Sequence, residues 1–344
     1  MYLLNFFDTS QPRKSSVLRQ VFTNKKTGSV IYWAFRYNYL QYLNLAPQLD
    51  NEILNKKLNE LVNKELLVLG NDGYQLTLKG KKQLMLFNKK HYFFETPTLF
   101  VHYNYSLWDA LMRIAIQVSS EYSYGNFHYF VASDNLQAQF IIKKWLAKYS
   151  FQILKKELTD ALLTFLSNYS QLKADIFTLK LVGHNINGAT NEQLALQFDL
   201  NALDIEIIWK DLTLHFAEFL RKQNNELSEL VKMTYESTPL SSSILNTKQL
   251  FDHGYSITQI CHLRHLKRST IEEHLQLLAI FNNNFPYIRL LSNSDMKILQ
   301  KIYRQLPIDH WNFKNIQMQY PQFPFLKYRL YAIKKTHEEY DRKR

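Results

Sequence analysis

Arg264, Lys267, Arg268, Ser269 and Thr270 place three cations and two hydroxyls within seven consecutive positions. Those residue types suit one task well, holding a phosphate. Guanidinium and ammonium groups neutralise it, while hydroxyls and helix-start amides donate to its oxygens. An ordinary solvated turn has the same composition, and so does a turn that docks protein. Lys79, Lys81 and Lys82 form a second basic group suited to tracking a nucleic-acid backbone. A basic helix end favoured by the helix dipole explains them equally well. Cys261, His262 and His265 lie within one helical turn, and Cys261 and His265 are spaced to share a face. Zinc needs a third and a fourth ligand, and the sequence offers neither nearby. No Ser/His/Asp order or carboxylate pair stands out. The expectation is therefore a protein that is not an enzyme and has no cofactor and no metal.

The elements that must position the first group form one half of an internal repeat. Thr190-Asn191-Glu192-Gln193-Leu194-Ala195 matches Ser256-Ile257-Thr258-Gln259-Ile260-Cys261. Each opens with a capping box, a hydroxyl followed three residues later by Gln. With the first residues aligned, Leu200 falls on Leu266, Ile205 on Ile271 and Leu212 on Leu278. A short helix, a small residue at the crossing, an apolar turn residue and an anchored second helix make a helix-turn-helix. In the second copy, Ser269 to Glu272 reads as a further capping box. This puts Lys267 and Arg268 in the turn before a recognition helix at Thr270–Ile280. His274 sits between Ile271 and Leu278 and reads as a packed core histidine. The copies differ in charge: residues 190–212 sum to −4 and residues 256–278 to +1. Only the second suits phosphate. The first reads as structural or protein-facing. Glu272 and Glu273, on the helix that should face DNA, argue against tight base reading.

Upstream, Leu54, Leu58, Leu61 and Val62 recur at helical spacing and predict a helix over Asn51–Glu65. Two short apolar runs then flank Asn71-Asp72-Gly73, a hairpin turn signal. With earlier helices expected in Ser15–Thr23 and Ser29–Leu43, the pattern is a winged helix-turn-helix. Helices are also expected at Leu107–Ser119, Leu136–Tyr149, Phe151–Ser167 and Leu203–Gln223. Between them, Trp108, Tyr122, Tyr124, Phe127, Tyr129, Phe130 and Trp145 read mainly as core, with base stacking as the alternative.

The chain has 344 residues and a formal charge of +12, with 8 glycines and 8 prolines. Gly and Pro together are about 5%, against a usual level of about 12%. The glycines spell neither GxGxxG nor GxxxxGK followed by Ser or Thr, which argues against a nucleotide-hydrolysing or dinucleotide enzyme. One cysteine excludes an internal disulfide framework. No apolar run approaches the roughly 18 residues of a membrane span, and the first seven residues lack a basic leader. A cytoplasmic protein with no membrane association is expected. Phe, Tyr, Asn, Lys and Ile are all abundant, as A/T-rich codons would produce. The total charge therefore permits an anionic partner without establishing one.

Gly254-Tyr255-Ser256-Ile257-Thr258-Gln259-Ile260, Arg264, Leu266, Ser269-Thr270-Ile271 and His274-Leu275 together resemble the helicase helix-turn-helix domain found at the C-terminus of RecQ-type helicases. Cys261 stands where that domain usually has Ala. With Gly188, Thr190 and Gln193-Leu194-Ala195 in the middle and Tyr328-Arg329-Leu330 near the end, the whole chain is similar to the YpbB-like proteins. Those are stand-alone proteins of low-GC Gram-positive bacteria, encoded beside a RecQ-like helicase. The resemblance implies a DNA-binding accessory role in DNA repair or recombination, with DNA and a RecQ-like helicase as partners.

The expected architecture is mainly α and multi-domain. It comprises a winged-helix-like domain at 1–95, a helical middle at 96–235 with an acidic helix-turn-helix near 184–222, and a C-terminal helix-turn-helix domain at 236–344. A stand-alone transcription regulator and a scaffold that never meets DNA are the alternatives. The oligomeric state is not legible.

Overall fold

The computed structural model describes residues 1–343; Arg344, the last of the basic tail Asp341-Arg342-Lys343-Arg344, lies outside the described residues. Three helices open the chain after a short 3-10 turn: α1 (Ser15–Phe22), α2 (Gly28–Arg36) and α3 (Asn51–Asn63). Thr27 caps α2, and the Asp50 carboxylate caps α3 through the amides of Glu52 and Ile53. The expected second helix stops at Arg36, because Asn38 takes a left-handed conformation (φ 57°) that a helix cannot continue. A hairpin of β1 (Leu67–Gly70) and β2 (Gly73–Leu76) follows, antiparallel, with Gly70 opposite Gly73 across the Asn71-Asp72 turn. Arg13 pairs with Tyr74 on the other side of β2 through reciprocal backbone bonds of 2.8 and 2.9 Å. Gly73 is required there: it has φ +134°, and a Cβ would meet the Arg13 carbonyl at 2.5 Å. This is the expected winged helix-turn-helix.

The middle of the chain is helical throughout. In order come α4 (Leu78–Asn88), α5 (Leu99–His102), α6 (Tyr105–Ser123), α7 (Leu136–Lys148), α8 (Phe151–Leu166), α9 (Gln171–Leu179), α10 (Asn191–Phe198), α11 (Ala202–Lys222) and α12 (Leu227–Lys232). Its axis is α11, whose Ile205, Leu212, Phe216 and Leu220 are fully buried. The C-terminal segment adds α13 (Ser242–Asp252), α14 (Ile257–Arg264), α15 (Arg268–Phe281), α16 (Asn293–Tyr303), α17 (Phe313–Gln317) and α18 (Phe325–Lys343).

The expected boundaries at 95 and 235 follow chain order, whereas packing groups the chain differently. One compact unit is Met1–Asn5 with Thr77–Thr238; the other is Phe6–Leu76 with Pro239–Arg344. In the second unit, the buried Arg36 of α2 ties the chain's two ends together. It pairs with Asp309 at 2.8 Å and Glu339 at 2.7 Å, and donates to Thr336 at 3.1 Å. α15 packs against α13, α14, α18 and α2. Among the described residues, no helix is long and apolar enough to cross a membrane.

Candidate nucleic-acid interface

The two repeats fold alike, residue for residue. Thr190 and Ser256 cap α10 and α14, accepting from Gln193 N at 3.2 Å and Gln259 N at 3.3 Å. The glutamine side chains reach back to the capping amides at 2.8 and 2.9 Å. Gly188 and Gly254, equivalent positions, both have positive φ, and the first helices end on left-handed Asp199 and His265. Leu200 and Leu266 donate to the carbonyls of Ala195 and Cys261. Leu194 and Ile260 are fully buried, as are Ile205 and Ile271.

The second helix of the basic copy starts earlier than its sequence suggests. The chain leaves the turn at Lys267, which has extended backbone (φ −65°, ψ 148°), and α15 begins at Arg268. Ser269 is therefore already inside the helix and cannot cap it, because a capping side chain must sit on the last non-helical residue. The expected Ser269–Glu272 capping box does not form. The repeat itself carried the correct signal, since Asn201 precedes α11 as Lys267 precedes α15.

Lys267 and Ser269 are exposed and Thr270 is half-buried. Arg268 is exposed and donates to Glu272 one turn on at 2.8 Å. Arg264 is engaged inside the unit. Its guanidinium donates to the Ser243 carbonyl at 2.5 Å, to Ser243 Oγ at 3.0 Å and to Thr247. Thr247 also bonds His274 Nδ1 at 2.7 Å. His274 is thus the packed histidine expected; burial, with the Arg264 charge adding to it, holds its pKa below the ordinary value. Glu273 does not face outward. Its carboxylate accepts the Gly28 amide at 2.5 Å, sealing the start of α2. Only the first turn of α15 is open, because Ile271, Leu275, Leu278 and Ala279 are buried against the surrounding helices. Such a helix end suits phosphate better than a row of base edges.

The acidic copy closes the same place. Asp204, at the position of Thr270, is fully buried. One of its oxygens accepts from Tyr2 OH at 2.6 Å and Tyr92 N at 2.9 Å. The other meets His91 Nδ1 at 2.8 Å and Asn201 N at 3.2 Å. Burial opposes the charge, but the hydrogen bonds outweigh it and hold the carboxyl below its usual range. A phosphate approaching this helix start meets a negative charge already satisfied.

Lys79, Lys81 and Lys82 lie within the first five residues of α4, exposed, after the Thr77 cap. The dipole explanation for them fails, because it favours cations at the C-terminal end and these are at the N-terminal end. They belong to the unit that holds the acidic repeat, not to the one that holds α15. Of the middle aromatics, Trp108 and Trp145 are core, while Tyr124, Phe127 and Phe130 are exposed, Phe130 almost entirely. One surface was not nominated from sequence. Helix α3, leading into the hairpin, buries Leu54, Leu58 and Leu61 and exposes Asn51, Asn55, Lys56, Lys57 and Asn59. Its Asn/Lys-rich outer face was the available signal.

Residues 243–332 match a family described as a helix-turn-helix domain. The chain carries a helix-turn-helix domain. The matched range contains the basic repeat and not the acidic one. Over its full length the chain is similar to Protein YpbB of Bacillus subtilis (strain 168). The two are 23% identical over 359 residues, which cover 98% of this chain and 99% of that protein. No solved structure matches the chain.

Proposed function

We propose that this protein binds DNA through the C-terminal helix-turn-helix domain, gripping the phosphate backbone rather than reading bases, and performs no catalytic step of its own. The observation that carries this reading is the open first turn of α15. Lys267, Arg268, Ser269 and Thr270 surround it, while the rest of the helix is enclosed. Amides at a helix start, two cations and two hydroxyls form a phosphate-holding set. Glu272 lowers the net charge of that turn through its pairing with Arg268, which favours modest, salt-sensitive affinity over tight sequence-specific binding.

The partner we assign is a RecQ-like helicase, whose own ATPase would supply the work. The resemblance of residues 254–275 to the helix-turn-helix domain of such enzymes supports this. The exposed rings of Tyr124, Phe127 and Phe130 in the other unit offer apolar anchors for docking. DNA affinity measured over a salt series tests the first claim. Replacing Lys267 and Arg268 by Gln should weaken duplex binding and flatten the salt slope by about 0.9 for each phosphate no longer neutralised. An unchanged slope would refute the assignment. Capture of the helicase by the wild type and not by Phe130→Ala tests the second. A discrete footprint on one DNA sequence would instead favour a stand-alone regulator.

A further inference from the structure

A cavity of about 410 Å³ opens within the unit that holds the C-terminal domain. That volume is in the range of small-ligand sites, about 300–1,000 Å³. Trp33 from α2, Trp311 and Phe313 from the segment before and into α17, and Tyr328 from α18 give it flat aromatic walls. Trp311 is a fixed wall: it stacks on Tyr303 and Tyr331, with centroids 4.6 and 5.6 Å away, and its indole N–H donates to the Leu306 carbonyl at 2.8 Å.

Two cations line the cavity without a carboxylate partner among the described residues. The Arg329 guanidinium lies over the Tyr32 ring, 3.7 Å from its centroid, and its buried Nε–H has no acceptor. The Lys14 ammonium stands 5.4 Å from the Trp33 ring. Two carboxylates also line the cavity: Asp309 is occupied by Arg36, at 3.0 and 2.8 Å, and by Gln11, while Asp72 is exposed at the hairpin turn. A cavity-lining guanidinium without a carboxylate partner favours an incoming anion. The half-exposed Trp33 indole favours a flat π-system. A nucleotide supplies both in one molecule.

We propose that this cavity binds a nucleotide, its base stacked against Trp33 and its phosphate held by Arg329 and Lys14. The source we favour is an unpaired nucleotide of single-stranded DNA. Trp33 lies five residues beyond Gly28, about 7.5 Å of helix rise, and Gly28 is bonded to α15 through Glu273. A strand separating from a duplex held at the start of α15 would have this site within reach. The choice of single-stranded DNA as the source rests on the DNA-binding reading of α15; the nucleotide site itself does not.

The test uses the full chain and the intrinsic fluorescence of its tryptophans. A short oligodeoxythymidylate should quench it saturably. Arg329→Gln should weaken that binding about tenfold, the loss expected for one charged hydrogen bond, and lower the salt slope by about 0.7, the value for one single-strand phosphate. Lys14→Gln, an exposed change, should act in the same direction if Arg329→Gln fails to fold by circular dichroism. Free thymidine monophosphate is the second arm. Quenching by it at equal affinity assigns the site to free nucleotides, whereas a strong preference for the strand assigns it to DNA. Quenching that neither variant weakens, or that inorganic phosphate reproduces, overturns the proposal. Duplex affinity of the same variants should stay within about twofold of wild type, so failure of this site and failure of the α15 interface are separable.

Discussion

The acidic and basic repeats share a backbone and differ at one decisive turn. Both have equivalent capping boxes, a left-handed residue at the same position between the helices and the same buried apolar positions. At the third helical residue of the second helix, one has Asp204 and the other Thr270. The carboxylate satisfies the first turn of α11 from within and recruits Tyr2, His91 and Tyr92 to cover it. The hydroxyl leaves the first turn of α15 open between Lys267 and Arg268. One scaffold thus serves as a structural post in one unit and as a candidate phosphate grip in the other. The fold alone does not decide between these roles; the residues at a helix start do.

The comparison can be broken most forcefully at Asp204. Asp204→Ala should cost about 3 kcal/mol of stability, because it strands several buried donors at once. A denaturant midpoint measurement checks this. Acid should produce the same loss more gradually. A carboxyl held below its unfolded pKa stabilises the protein above that pKa, near 3.8, and the contribution falls away as pH drops toward the folded value.

Glu273→Ala should cost about 1 kcal/mol by removing the carboxylate from the start of α2. Its counterpart in the acidic repeat, Ile207, is buried core, so the equivalent positions do different work. Thr190→Ala and Ser256→Ala should each cost about 1 kcal/mol, equal within error if the two capping boxes are equivalent. Thr270→Ala should cost less than about 0.5 kcal/mol, the smallest effect of the series.

His274 sharpens the contrast through pH. Its counterpart is Ile208. Because burial holds the folded pKa of His274 below its unfolded value, stability is full above about pH 6.5 and declines as pH falls, while the unfolded chain takes up the proton. His274→Gln should therefore show a smaller drop in melting temperature between about pH 7 and pH 5 than the wild type.

Much of this was legible in the sequence because the determinants are local. Capping boxes, an apolar residue every three or four positions and a Gly-flanked turn each leave a short pattern, and both repeats and the hairpin followed from them. What escaped was long-range. Glu273 looks like a carboxylate on a DNA-facing helix until α2, 245 residues earlier, is seen to bind it. Arg264 looks like a free cation until Ser243 and Thr247 take its donors. The cavity joins Lys14 and Trp33 to Trp311 and Arg329, and no periodicity connects residues so far apart. The early start of α15 was readable from the repeat alignment, but the Ser-x-x-Glu pattern pointed elsewhere.

The most direct test moves the decisive residue from one repeat to the other. Thr270→Asp places the carboxylate of the acidic copy at the open helix start. A third-position acid suits the helix dipole, so the melting temperature should hold or rise. Duplex affinity at low salt should fall at least about tenfold, with a shallower salt slope. Duplex binding unchanged in a stable Thr270→Asp protein would contradict the account.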